Sequence, residues 1–141
     1  MKKFTILFAI LTTLILSGCT ALKNTIPLSN DTWELEYITG AKIAFDGLYP
    51  NSKPQLTFNT QKNEVSGTTS CNGFATKYTT NGNSIQFNEN SPTTLRFCEG
   101  GGEPAFLKMM KEVNNYYIDI QGKLYLNRGD LPMMRFKKIN K

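Results

Sequence analysis

This 141-residue chain contains no histidine. Without an imidazole there is no Ser-His-Asp or Cys-His nucleophile activation and no His-ligated zinc. Those are the commonest devices of small hydrolases and metalloenzymes, so composition alone disfavours an enzyme. No catalytic residue, metal or cofactor is assigned. The three cysteines, Cys19, Cys71 and Cys98, form no C-x-x-C pair, and no neighbouring group marks a thiol for activation. No cluster of Lys and Arg is interleaved with aromatics, as a nucleic-acid face requires. The formal charge is +5, and without Lys2 and Lys3 it falls to +3, too mild to argue for nucleic acid. There is no long biased tract. With 40% hydrophobic and 19% charged residues, the chain fits one globular domain with one core.

The longest apolar run, Phe4 to Leu16, is broken only by Thr5, Thr12 and Thr13. It is shorter than the roughly 20 residues of a membrane-spanning helix and suits the apolar region of a signal peptide. The basic Lys2-Lys3 precedes it. Leu16-Ser17-Gly18-Cys19 follows and resembles the bacterial lipobox, whose cysteine becomes the acylated first residue. Residues 1–18 are therefore read as a lipoprotein signal peptide and Cys19 as the lipid attachment site. Residues 19–30 are read as a lipidated tether without a core pattern. Thr20, not an aspartate, follows the cysteine. By resemblance to sorting rules, that favours the outer membrane, facing the periplasm, in a bacterium with two membranes. The expected location is the cell envelope, held by a lipid anchor.

From residue 31 onward the pattern alternates. Trp33, Leu35 and Tyr37 alternate with Glu34 and Glu36, a half-buried strand ended by Gly40. Further strands are expected at Leu56-Phe58, Glu64–Thr69, Phe74–Thr80, Ser84–Asn88, Thr93–Cys98, Tyr116–Ile120, Leu124-Leu126 and Met133–Phe136. Gly67 inside one of them signals a bulge or a close backbone approach. Asn81-Gly82 is a strong hairpin signal. Leu95 and Phe97 are expected to point inward. Ala41 to Lys53 reads as a loop, with a short extended piece at Lys42–Phe45. After Gly100-Gly101-Gly102, Glu103 to Val113 reads as one helix, with Pro104 at its first position. Its stripe is Phe106, Met109 or Met110, and Val113. Arg128-Gly129-Asp130 reads as a tight turn rather than an adhesion signal. The sum is mainly β: a small antiparallel barrel of about eight strands with one helix late in the chain.

The order of short motifs resembles the META, or HslJ-like, domain. Its pieces are Trp33-Glu34-Leu35 with Gly40, Pro54-Gln55-Leu56-Thr57-Phe58, and Ser66-Gly67 through Cys71-Asn72-Gly73-Phe74. Tyr78, Thr93-Thr94 to Cys98, Phe106-Leu107, Tyr116 or Tyr117, Leu124-Tyr125-Leu126 and Phe136 complete it. Arg96-Phe97 departs from the methionine-alanine pair common before the second cysteine. The resemblance covers about residues 31–138, and residues 31–141 are assigned as the domain. It singles out Trp33, Gly67, Asn72, Gly73 and Thr94 as family-motif residues. It implies a calycin-like barrel of bacterial lipoproteins and stress-associated envelope proteins, without established catalytic residues.

Lipidation of Cys19 leaves one pair of thiols. Outside the cytoplasm such a pair tends to oxidise, and a Cys71–Cys98 disulfide is expected. Two separate buried thiols are the competing reading. Asn72-Gly73 is read as a turn demanding positive φ, and Trp33 as closing one end of the barrel. Glu103 is read as favourably placed for the helix dipole. The leading function is a non-catalytic envelope lipoprotein supporting integrity or stress tolerance through other envelope components. Two alternatives stand beside it. One is a barrel binding a small apolar molecule or lipid, with Trp33, Phe74, Tyr116 and Tyr117 lining a mouth. The other is an inhibitor of an envelope-attacking hydrolase, docking through Glu99–Gly102.

Overall fold

The structure is a computed structural model. It describes residues 26–89, 91, 92, 94 and 96–139. The signal peptide and the Cys19 assignment lie outside the described residues, as do Thr93 and Leu95.

The elements follow the alternation closely. They are β1 (Thr32–Ile38), a single helical turn α1 (Phe45–Leu48), β2 (Gln55–Asn59), β3 (Glu64–Thr68), β4 (Gly73–Asn81), β5 (Ser84–Phe87), β6 (Ser91–Pro92), α2 (Gly102–Glu112), β7 (Asn115–Ile118), β8 (Lys123–Arg128) and β9 (Leu131–Ile139). The antiparallel order is β3-β2-β1-β9-β8-β7-β5-β4, and pairing of β3 with β4 closes it into an eight-stranded barrel. The two-residue β6 pairs with β4 at Phe74 and Ala75, ahead of β5 on the same edge. Closure leaves no free sheet edge around most of the ring.

Inward positions carry the large apolar residues. Trp33, Leu35, Leu56, Phe58, Val65, Phe74, Leu124, Leu126, Met134 and Phe136 are all 2% exposed or less. From α2, Phe106, Met109 and Met110 join them, so both methionines of the stripe face the core. Phe58 meets Tyr78 edge-on at 5.3 Å, and Phe74 meets Phe106 at 5.8 Å. The centre of the barrel is thus filled by side chains.

Gly67 makes a close approach and not a bulge. β2–β3 and β3–β4 keep their register through it, and a Cβ there would lie 1.8 Å from the Gln55 carbonyl oxygen. Turns fall where glycine permits positive φ. Gly82-Asn83 joins β4 to β5, one residue beyond the Asn-Gly step, with Gly82 at φ 59°. Gly129-Asp130 joins β8 to β9 with Gly129 at φ 58°, and Arg128 beside it pairs with Glu112 at 2.9 Å.

Several expectations fail locally. No strand forms at Lys42–Phe45, and Phe45–Leu48, inside the stretch read as a loop, forms one helical turn that buries Leu48. No strand runs through residues 96–98, and Phe97 is 92% exposed instead of inward. Pro104 is the third helical residue, because Gly101 takes the cap position. Its missing amide still falls among the four that no helix satisfies internally. β7 stops at Ile118, and Ile120 is fully exposed. The end of the tether is docked, not free. Leu28 packs against the core, and Asn30 Oδ1 accepts a hydrogen bond from Thr60 N at 2.9 Å.

Candidate functional site

Two places outside the core gather polar chemistry. The first is the loop between β3 and β4. Cys71 and Cys98 are joined there in a disulfide, Cα to Cα 6.0 Å and 27 positions apart. Asn72 between them is 1% exposed and organises both loops. Its Oδ1 accepts from Thr94 Oγ1 at 2.7 Å and from Arg96 N at 2.9 Å. Its Nδ2 donates to Arg96 O at 2.9 Å and to Glu103 Oε1 at 3.1 Å. Thr94 Oγ1 also accepts from Gly73 N at 3.2 Å. Thr69 donates through its hydroxyl to the other Glu103 oxygen.

A buried amide with both ends satisfied is a fastener. The arrangement locks the Cys98 segment to the barrel and anchors the start of α2 through Glu103. Glu103 therefore does more than face the helix dipole. The positive φ expected at Asn72-Gly73 sits instead at Ser70, φ 105°, and Gly73 already belongs to β4. Cys71, Cys98 and Glu103 place ligand atoms within 4.8 Å of one another. The two sulfurs are bonded to each other, so this set offers a metal only one carboxylate.

Of the motif residues, the structure brings Asn72, Gly73 and Thr94 together with the disulfide. Gly67 and Trp33 lie elsewhere. They belong to one cross-strand row in which Trp33 faces Leu56, Leu56 faces Gly67 and Gly67 faces Phe74. Trp33, Phe74 and Tyr116 are core residues and line no mouth. In the Glu99–Gly102 run, Glu99, Gly100 and Gly101 are exposed and Gly102 is buried. Glu99–Gly101 forms a tight helical turn against α1, where a Cβ on Gly100 would come within 2.5 Å of Gly47 O. Tyr49 closes over Gly102 and donates to its carbonyl at 3.1 Å. Burial pushes the Tyr49 phenol well above its usual range, so it stays a neutral donor.

The second place is the seam between β5 and β7. These neighbours register at one pair only, Ser84 with Asn115. Two hydrogen bonds hold it, Ile85 N to Asn114 O at 3.1 Å and Tyr116 N to Asn83 O at 2.8 Å. Every other neighbouring pair in the ring registers three residues or more. The two strands diverge because β7 runs past the tip of the β4–β5 hairpin. An outer groove of about 1280 Å³ opens there, between that tip, the end of β7 and the β8–β9 hairpin.

Asparagines build its floor. Asn115 Nδ2 donates to Gly129 O at 2.7 Å, and Gly129 N donates to Asn114 Oδ1 at 2.9 Å. Asn127 Nδ2 donates to Asn115 Oδ1 at 3.2 Å. Tyr117, at the rim, stacks on Tyr125 at 4.5 Å with planes 5° apart. No single motif announced this groove. Its only trace in the sequence is the recurrence of asparagine at 81, 83, 114, 115 and 127.

Beside the Tyr117–Tyr125 stack, with Arg135 opposite Tyr125, Glu36 bridges Lys123 at 2.6 Å and Arg135 at 2.7 Å. Burial would raise its pKa, but these hydrogen bonds and charges outweigh burial and hold the carboxyl below its ordinary value of 4.5. Arg135 also lies 5.7 Å over the Tyr37 ring.

The sequence pattern described as the META domain matches residues 26–140. No curated protein matches the chain. Solved structures share its fold, two of them as follows. One is an NMR structure of a protein from Burkholderia xenovorans, 18% identical with a TM-score of 0.64, covering 89% of this chain and 96% of that one. The other is also an NMR structure, 18% identical with a TM-score of 0.53, covering 78% of this chain and 90% of that one.

Proposed function

This chain belongs to the META domain family, and we propose that it is a non-catalytic lipoprotein of the cell envelope whose barrel works through its outer surface. One observation carries the reading: the barrel centre is occupied by Trp33, Phe58, Phe106 and Phe136, leaving recognition to the outside. Three further features support it. The Leu16-Ser17-Gly18-Cys19 run suits acylation. The paired Cys71 and Cys98 suit an oxidising compartment. The chain offers no histidine for the usual nucleophile activation.

In this reading Cys19 carries the lipid and residues 20–30 hold the barrel close to the membrane. In a bacterium with two membranes that surface faces the periplasm. The role is support of envelope integrity or stress tolerance by contact with other envelope components. Docking on a hydrolase through Glu99–Gly102 is less favoured, because that run is packed against α1.

Fractionation of cells expressing the wild type and Cys19→Ser, with intact-mass spectrometry of each, tests this. The wild type should sediment with membranes and begin at an acylated Cys19, and Cys19→Ser should be released. A soluble, unacylated wild type would overturn the anchor. Turnover of an envelope polymer by the purified protein would overturn the non-catalytic role.

A further inference from the structure

We propose that the groove at the β5–β7 seam binds an uncharged oligosaccharide, stacked on Tyr117 and hydrogen-bonded by the surrounding amides. This deepens the surface reading above by naming the class of partner.

The lining decides the class. It is rich in amide and hydroxyl side chains, among them Thr79, Asn83, Gln86, Asn115 and Asn127. Amides offer donors and acceptors together, which matches hydroxyl groups that also do both. The lining contains no Lys or Arg, although the chain is basic overall. Its only formal charges are Asp119 and Asp130, and Arg135 beside Tyr125 is already paired with Glu36, so a phosphate or another anion would meet repulsion without a free counter-charge. An apolar lipid would strip water from these amides without replacing their hydrogen bonds. The volume of about 1280 Å³ exceeds the roughly 300–1,000 Å³ of ordinary small-molecule clefts, leaving room for several linked rings.

Two details point to a ligand and not to bare surface. Tyr117 has one ring face covered by Tyr125, and it also lines the groove. Its other face is the one available for stacking a sugar ring. Asn127 lines the groove at 5% exposure, and its Oδ1 has no hydrogen-bond partner among the described residues. A buried acceptor left unmatched is costly, and although that oxygen is closed to solvent in this conformation, a turn of the Asn127 side chain would bring it to a ligand hydroxyl. An added peptide strand fits less well. The β7 edge past Tyr116 offers only Tyr117 and Ile118 before the Asp119 turn begins.

The test uses the full chain in a zwitterionic detergent, because a sugar-headed detergent would compete. Amide NMR spectra are followed during titration with maltotetraose, cellotetraose and chitotetraose. Inorganic phosphate and an alternating Val-Thr peptide serve as the other probes. At least one tetraose should saturably shift the amides of Asn83, Tyr117 and Gly129. Tyr117→Ala should weaken that binding by about tenfold or more. Tyr117→Phe keeps the ring and should retain binding. Phe97→Ala, 92% exposed beside the disulfide and outside the groove lining, should leave it unchanged and guards against a folding artefact. The proposal fails if no tetraose moves these amides, if phosphate or the peptide alone moves them, or if binding survives Tyr117→Ala. Sugar binding should persist in Cys19→Ser, so failure here and failure of the membrane anchor are separate results.

Discussion

The barrel has a tied side and a parted side. On the tied side, β9 lies between β1 and β8 with six registered residues to each. Glu34, Glu36 and Asp31 pair across it with Lys137, Arg135, Lys123 and Lys138. On the parted side, β5 and β7 meet at a single residue pair, and neutral amides replace the ion pairs. Ladder bonds and inward side chains together make the first side a frame. The second depends on a few amide contacts and on α2 packing beside β5. Local stability in a protein follows such differences, and binding segments come from the weaker end.

The largest way to break the contrast is through the shared core. Phe136→Ala, from β9 at 0% exposure, should cost about 3–5 kcal/mol. A matching fall in the urea midpoint, with both sides melting together, would show that one core serves both. Next comes the covalent tie. Replacing Cys71 and Cys98 by serine frees a loop closed across 27 positions and should cost roughly 3–4 kcal/mol. The same loss should appear when the wild type is melted with and without reductant. A smaller loss, about 2 kcal/mol, is expected for Asn72→Ala, which strands the Arg96 amide and the Glu103 carboxylate. It should loosen α2 while sparing the β1–β9 ladder, as read from amide shifts.

The smallest effect sharpens the electrostatic half of the comparison. Glu36 titrates below its ordinary value of 4.5 in the folded chain. A depressed carboxylate contributes stability above its unfolded pKa and loses it as pH falls through the folded value. The wild type should therefore lose stability below about pH 4.5 more steeply than Glu36→Gln, which should start roughly 1 kcal/mol lower at neutral pH. Urea midpoints across that range measure it. Parallel curves for the two proteins would remove the network from the account.

Much of the tied side was legible in the sequence. Alternation at Trp33-Leu35, Leu56-Phe58 and Leu124-Leu126 sets which face turns inward, and a strand's period of two is a local property. The stripe of α2 was legible for the same reason. Thr93–Cys98 shows the limit. It alternates too, yet Phe97 points outward, because the disulfide and Asn72 hold residues 96–98 away from any ladder. Those partners lie more than twenty positions away, beyond any local period. The turn at Phe45–Leu48 was hidden by Gly47 and the nearby prolines. The motif residues Asn72 and Gly73 were visible as a pair, but Glu103, their partner across the loop, was assigned only to its own helix. The groove was least legible. Its walls come from three separate segments, and it exists because β7 overshoots a hairpin tip, a consequence of closure and not of local composition.

The most direct test of this two-sided account is native-state hydrogen exchange on the intact chain, resolved by residue. The account predicts that the seam amides of Ile85 and Tyr116 exchange through local opening, well before those of Leu35 and Phe136, which should exchange only with global unfolding. Equal protection on both sides would contradict it, and the seam would then be as much a part of the frame as the β1–β9 ladder.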